Sequence, residues 1–204
     1  EQAMRVRVLS TGLPLIYAHL VGGQDEVVFE GRSFAINADG ALAGRAPSFE
    51  EASFAVEVAR NSVLGSGVQL SSMVVVEGSL EADLWHALVL GVRDYIEKNG
   101  FPGALLGLSG GIDSALVLAI AVDALGADRV RTVMMPSPYT AEISWVDARD
   151  MAHRLGVRYE EISIVPEFDA FLGSLKADFE GTQLDTTEEN IQARIRGTLL
   201  MALS

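Results

Sequence analysis

Ala104-Leu105-Leu106-Gly107-Leu108-Ser109-Gly110-Gly111-Ile112-Asp113-Ser114 is the stretch on which the reading of this chain turns. Ala104 to Leu108 is a short apolar run that reads as a strand, and Asp113 to Leu125 reads as a helix stopped at Gly126. A strand that turns through a glycine pair into a helix opens a βαβ unit. The pattern continues downstream. Val130 to Met135 reads as a second strand closed by Pro136 and Pro138, and a helix is predicted from about Ala141 to Leu155 with Gly156 as its stop. Val157 to Ile164 alternates as a third strand. Strands alternating with helices imply α/β architecture, a parallel sheet with right-handed crossovers.

The flanks carry weaker signals. Phe168 to Leu175 is a short helix candidate. Thr186-Thr187-Glu188-Glu189 has the form of a capping box, with Thr186 as cap and Glu189 reaching back, and its helix runs to the end of the chain. Before the βαβ unit, Ser79 can cap a helix whose stripe is Leu84, Leu88, Val92 and Ile96. Up to about Glu51 the chain reads as strands, with Asn37-Ala38-Asp39-Gly40 as a hairpin turn and no helical stripe. From Ala52 to Gly78 the pattern fades into loop chemistry, at Asn61-Ser62, Gly65-Ser66-Gly67 and Ser71-Ser72, and reads as a connection between domains.

Composition narrows the function. The 204 residues include 28 acids and 15 Lys and Arg, a formal net charge of −13. That disfavours a general nucleic-acid binder, which needs a basic surface to displace counterions. There is no Cys, so disulfides, thiolate zinc sites and cysteine nucleophiles are absent from this chain. No stretch is apolar and long enough for a membrane span or a signal core, and a soluble cytoplasmic protein is expected. The chain reads as a piece of something longer.

The turn at Ser109 carries the chemistry. Adjacent glycines let backbone approach a ligand closely. The first N–H groups of the following helix point into the same space, at the carboxyl end of a parallel strand where ligands bind. Ser109 and Ser114 add hydroxyls, and Asp113 adds a carboxylate suited to Mg²⁺ beside phosphate. The loop lacks the Gly-Lys-Ser/Thr ending of a Walker A motif and is not GxGxxG. The bland reading is a glycine-rich turn with a polar helix cap.

Ser109-Gly110-Gly111-Ile112-Asp113-Ser114 resembles the pyrophosphate-binding loop of the ATP pyrophosphatases, which adenylate a carbonyl or carboxylate oxygen and release pyrophosphate. Val133-Met134-Met135-Pro136-Ser137-Pro138-Tyr139-Thr140 and Thr187-Glu188-Glu189-Asn190-Ile191-Gln192-Ala193-Arg194-Ile195-Arg196-Gly197 resemble NAD synthetase. Leu13 to Tyr17, Val21 to Glu26 and Phe29-Glu30-Gly31 resemble the last strands of a nitrilase-type glutamine amidohydrolase. Together they are similar to the glutamine-dependent NAD synthetases. The resemblance implies residues 1–55 as the end of a nitrilase-like αββα domain, 56–78 as a linker, and 79–204 as the start of a Rossmann-like NAD synthetase domain (adenine nucleotide alpha hydrolase-like).

It also implies a carbon–nitrogen ligase. Deamido-NAD is adenylated by ATP, and ammonia from glutamine then gives NAD and AMP. Gly107, Leu108, Ser109, Gly110, Gly111, Ile112, Asp113 and Ser114 would hold ATP, with Asp113 on Mg²⁺. Asn190 and Arg194, on one face of the last helix, would contact deamido-NAD, with a solvated helix face as the alternative, and Tyr139 and Thr140 would contact it too, with a plain turn as the alternative. A homo-oligomer without nucleic-acid or membrane partners is expected. The glutaminase Cys is missing, so the chain alone should be incomplete. Another enzyme of the loop's superfamily (GMP synthetase-like or tRNA-modifying) and a non-catalytic nucleotide-binding fragment stay open. His19, His86 and His153 lie far apart and read as structural, and Gln24-Asp25-Glu26 reads as a turn.

Overall fold

The computed structural model describes residues 1–60, 67–181 and 186–204. The chain divides into two compact units, Glu1–Tyr95 and Ile96–Ser204.

The first unit opens with a helix, α1 (Gln2–Thr11), where the sequence suggested only strands. Arg5-Val6-Arg7-Val8 alternates with the period of a strand and hides the helical repeat. What fixes α1 is Val8, 1% exposed, with Met4 one turn earlier, both packed on Phe34 and Ile36. Gly12 ends it in the left-handed conformation. Strands β1 (Leu15–Tyr17), β2 (Val21–Gln24), β3 (Val27–Glu30), β4 (Phe34–Ile36) and β5 (Leu42–Arg45) follow. β1, β4 and β5 form an antiparallel sheet in the order β1-β4-β5, and β2 and β3 form a hairpin. Asp25 and Glu26 make the tight turn of that hairpin, with Gln24 opposite Val27. The hairpin foreseen at Asn37 to Gly40 joins β4 to β5.

The stretch expected to be a connection contributes β6 (Glu57–Arg60) and β7 (Val68–Ser71), an antiparallel hairpin. Its glycine- and serine-rich middle at 61–66 lies outside the described residues. Asn37 secures the hairpin from 33 residues away: its amide donates to the Leu70 carbonyl at 3.1 Å and accepts from the Leu70 N–H at 2.8 Å. Both residues are buried. Helix α2 (Leu80–Lys98) carries Asp83, which pairs with Arg32 at 2.6 Å, and Asp94, which accepts from Gly23 N–H at 2.7 Å.

The second unit is the βαβαβ expected. β8 (Ala104–Gly107), α3 (Ile112–Leu125), β9 (Val130–Met134), α4 (Glu142–Leu155) and β10 (Arg158–Glu161) alternate, and the three strands lie parallel in the order β10-β9-β8. Pairing continues past the strand ends. Leu108 N–H donates to Val133 O, and the N–H groups of Ile162 and Ile164 donate to Met134 O and Pro136 O. α5 (Val165–Ser174) and α6 (Thr186–Leu203) complete the unit. α6 takes in Thr186 as its first helical residue, so Thr186 is not outside the helix as its cap. Ile191, Ile195 and Leu199 of α6 pack with Val133, Met135, Ile164 and Phe168. By the pleat of β9, Thr132 and Met134 face away from that cluster.

Candidate functional site

The site grows from the carboxyl end of β8. The turn from Gly107 to α3 is held by a closed set of hydrogen bonds among Ser109, Gly111 and Ser114. Ser114 Oγ donates to Gly111 O at 2.9 Å and stands 3.0 Å from Ser109 Oγ. Because the Ser114 hydroxyl hydrogen is spent on Gly111 O, Ser109 is the donor between the two hydroxyls. Ser109 N–H also reaches Ser114 Oγ at 3.2 Å, and Gly111 N–H reaches Ser109 Oγ at 3.2 Å. The hydroxyls therefore shape the loop from within.

What the loop offers a ligand is backbone. The first intrahelical bond of α3 runs from Ala115 N–H to Gly111 O. The N–H groups of Ile112, Asp113 and Ser114 precede it and have no acceptor in the helix. N–H groups left free in this way, with the positive end of the helix dipole, suit an anion. Gly110 is required twice over. Its φ is +81°, and a Cβ there would lie 2.2 Å from the Ser144 carbonyl oxygen in the first turn of α4. Backbone packs on backbone at this point, and no side chain fits.

Beside the loop lies a cavity of about 470 Å³, walled by Gly107, Leu108 and Ser109, by Met135 after β9, by Tyr139 and Thr140, and by Arg196 and Leu200 of α6. A second cavity of about 670 Å³ adjoins it, lined by Ser137, Thr186, Glu188, Glu189 and Gln192. Tyr139, Thr140 and Arg196 belong to both walls. Ser137 and Thr140 fold the intervening chain into a turn, with Thr140 Oγ1 accepting from Ser137 N–H at 2.9 Å. Tyr139 stands edge-on to Phe168.

The residues singled out in the sequence separate into groups. Gly107, Leu108, Ser109, Tyr139 and Thr140 line the first cavity. Gly110, Gly111 and Ile112 face a different hollow that includes Asp147, Asp150 and Arg154. Ser114 works inside the loop, and Asp113 is exposed in the first turn of α3. Asn190 and Arg194 are exposed and line neither cavity. To these cavities α6 presents Gln192 and Arg196. The sequence reading passed over this pair because the stripe Ile191-Ile195-Leu199 is flanked equally by 190/194 and by 192/196. Helical phase alone does not say which flank meets the strand ends.

Arg196 is half-buried. Its Nε donates to Met135 O at 3.0 Å, and its Nη2 lies 3.5 Å from Gln192 Oε1. Burial pulls its pKa below the usual guanidinium value, and among the described residues no carboxylate opposes the shift. Among the described residues no group of three or more His, Asp or Glu side chains converges as a metal cage.

These features define a parallel α/β unit with a glycine-rich loop at its strand ends and a two-chambered cleft alongside. The comparisons name the family. The NAD synthase sequence profile matches residues 84–204, and the chain belongs to that family. A glutamine-dependent NAD(+) synthetase of Rhodobacter capsulatus is 48% identical over all 204 residues, which cover 37% of that protein. The chain thus spans little more than a third of such relatives. Among solved structures, a glutamine-dependent NAD+ synthetase of Acinetobacter baumannii in complex with adenosine diphosphate aligns with a TM-score of 0.92 and 44% identity, over 100% of this chain and 38% of that one. An NMN synthetase of Francisella tularensis aligns with a TM-score of 0.55 and 31% identity, over 62% of this chain and 50% of the other.

Proposed function

We propose that this chain forms the nucleotide-binding part of an enzyme that amidates deamido-NAD to NAD at the expense of ATP. The observation that carries the reading is the prefolded loop from Ser109 to Ser114, whose strand-end residues Gly107, Leu108 and Ser109 wall a cleft that α6 walls from the other side. The similarity of the whole chain to an ADP-bound synthetase supports a nucleotide in that cleft. Residues 1–55 then belong to a nitrilase-like amidohydrolase domain, and the full-length protein draws its ammonia from glutamine. The same reading makes it a cytoplasmic homo-oligomer.

The chemistry follows from charge. A carboxylate oxygen of deamido-NAD attacks the α-phosphorus of ATP, and the bond to pyrophosphate breaks with its electron pair leaving on that group. Ammonia then attacks the activated carbonyl carbon and gives up one proton to solvent, and AMP departs with the bridging oxygen. The free N–H groups of Ile112, Asp113 and Ser114 hold the phosphates, and the loop's internal hydrogen bonds keep them aimed without reorganisation. Asp113 would hold Mg²⁺: one exposed carboxylate beside an anion site suits an ion that keeps mostly water and phosphate oxygens as ligands. When bound, Mg²⁺ would offset the charge that builds on the departing pyrophosphate. Deamido-NAD sits across the second chamber, within reach of Tyr139 and Thr140, and the Asn190–Arg194 face closes on it from outside the cleft.

The test is a steady-state assay of the full-length protein with ATP, Mg²⁺, deamido-NAD and ammonia. NAD, AMP and pyrophosphate in equal amounts are expected, and binding of ATP without turnover would overturn the assignment. Because the Francisella fold carries an NMN synthetase, the nicotinate mononucleotide should be run as a competing acceptor. Deamido-NAD is expected to give the higher kcat/KM.

A further inference from the structure

Arg196 differs from the arginines around the sheet. Arg131 pairs with Glu160 at 2.6 Å, Arg149 with Glu161 at 2.7 Å and Arg158 with Glu160 at 2.6 Å. Arg196 is half-buried, yet its closest partners are a backbone carbonyl and an amide. Its single strong bond, Nε to Met135 O, fixes the plane of the guanidinium at the end of β9 and leaves its terminal N–H groups largely uncommitted. Those groups sit where the two chambers meet, since Arg196 is one of three residues common to both walls. Among the described residues no carboxylate is bonded to it, and a half-buried cation in that position is costly unless an anion arrives from outside.

We propose that Arg196 contacts both substrates of the adenylation step, binding the anionic oxygens at which the acceptor carboxylate meets the α-phosphate of ATP. This rests on the function proposed above. In that step two negatively charged groups must approach to bonding distance, and their repulsion opposes the reaction. The carboxylate oxygen forms a bond to the α-phosphorus, the bond to pyrophosphate breaks, and no proton moves. A guanidinium held at the junction gives bidentate donors to non-bridging oxygens as they draw together. Met135 O and Gln192 serve as the frame that orients it. The competing role is a tether joining α6 to the end of β9, for which the Nε bond suffices and the charge is irrelevant.

The experiment uses the full-length protein with Arg196→Gln and Arg196→Lys. Three quantities are read: exchange of labelled pyrophosphate into ATP in the presence of deamido-NAD, which reports adenylation alone; ADP affinity by calorimetry without acceptor; and Tm. Arg196→Gln is expected to lose roughly 100-fold or more in exchange rate, as for removal of one transition-state donor. Its Tm should be unchanged and its ADP affinity should fall far less than the exchange rate, because the loop holds the pyrophosphate end and the contact to the α-phosphate tightens only as the acceptor closes in. Arg196→Lys should regain at least about tenfold of the loss, since it restores charge without the fork. Normal exchange by Arg196→Gln overturns the proposal alone. So does a parallel fall in ADP affinity and Tm with no recovery in Arg196→Lys, which is the signature of a tether. Wild-type protein that exchanges no pyrophosphate removes the adenylation reading, and the proposal with it.

Discussion

The loop after β8 and the hairpin β6–β7 both depend on side-chain to backbone hydrogen bonds, but the bonds reach over different distances. At the loop, Ser109, Gly111 and Ser114 bond to one another across at most 5 residues. At the hairpin, the clamp on Leu70 comes from Asn37, 33 residues upstream. A shape closed by neighbours exists as soon as its helix forms, and it can present N–H groups to a ligand at little further cost. A shape closed from afar exists only once the surrounding unit has folded. The contrast teaches that the shape of the loop is written into a short segment, whereas the first unit depends on remote contacts.

Substitutions can break that contrast from either side, and the largest effect is expected at Asp113. Asp113→Ala in the full-length protein should lower NAD synthesis by about 10²-fold or more, with ammonia or with glutamine, while Tm holds. Near-normal turnover at saturating Mg²⁺ would make the carboxylate a helix-end charge and nothing more.

Gly110→Ala comes next. The added methyl meets the Ser144 carbonyl oxygen at 2.2 Å in a backbone with φ +81°. A loss of about 1–3 kcal/mol in stability is expected. ADP affinity should fall with it, because the loop and the start of α4 must part. Calorimetry with ADP and chemical denaturation check the two halves of this outcome.

Asn37→Leu attacks the other side. It leaves the Leu70 N–H and carbonyl buried without partners, at about 2 kcal/mol or more. Hydrogen exchange should quicken at Leu70 and its neighbours while ADP affinity stays put. A loss of nucleotide binding in this variant would contradict the independence of the loop.

The smallest effect concerns Tyr159 on β10. Burial first, and then its hydrogen bond to Glu161 at 2.9 Å, push its phenol from the ordinary 10.0 up to about 12. Below pH 10 both folded and unfolded chains keep the proton. Between pH 10 and 12 the unfolded chain ionises first, so stability falls as pH rises through that window. Tyr159→Phe should flatten the fall, as read by denaturation at pH 9 and pH 11. Parallel slopes for the two proteins would remove Tyr159 from the pH response.

The same contrast explains what the sequence disclosed. The βαβαβ order, the loop at Ser109 and the stripe Ile191-Ile195-Leu199 depend on local periodicity and turn chemistry, and all are found where the residues placed them. β6 and β7 escaped notice because Leu70 is their single buried anchor and its partner lies at Asn37. α1 escaped because its apolar contacts amount to Met4 and Val8 within a strand-like alternation. Arg196 was legible as a cation but not as a wall of the cleft. Which flank of α6 faces the strand ends is decided by tertiary packing, through the bond from Arg196 to Met135 O.

The most direct test of the adenylate route follows an oxygen atom. Deamido-NAD labelled with ¹⁸O in its nicotinate carboxylate is turned over by the full-length protein with ATP and ammonia, and the AMP released is analysed by mass spectrometry. One ¹⁸O in the phosphate of AMP is the result required if the carboxylate attacks the α-phosphorus at the Ser109–Ser114 loop. Unlabelled AMP, or label appearing in inorganic phosphate with ADP as co-product, would contradict it.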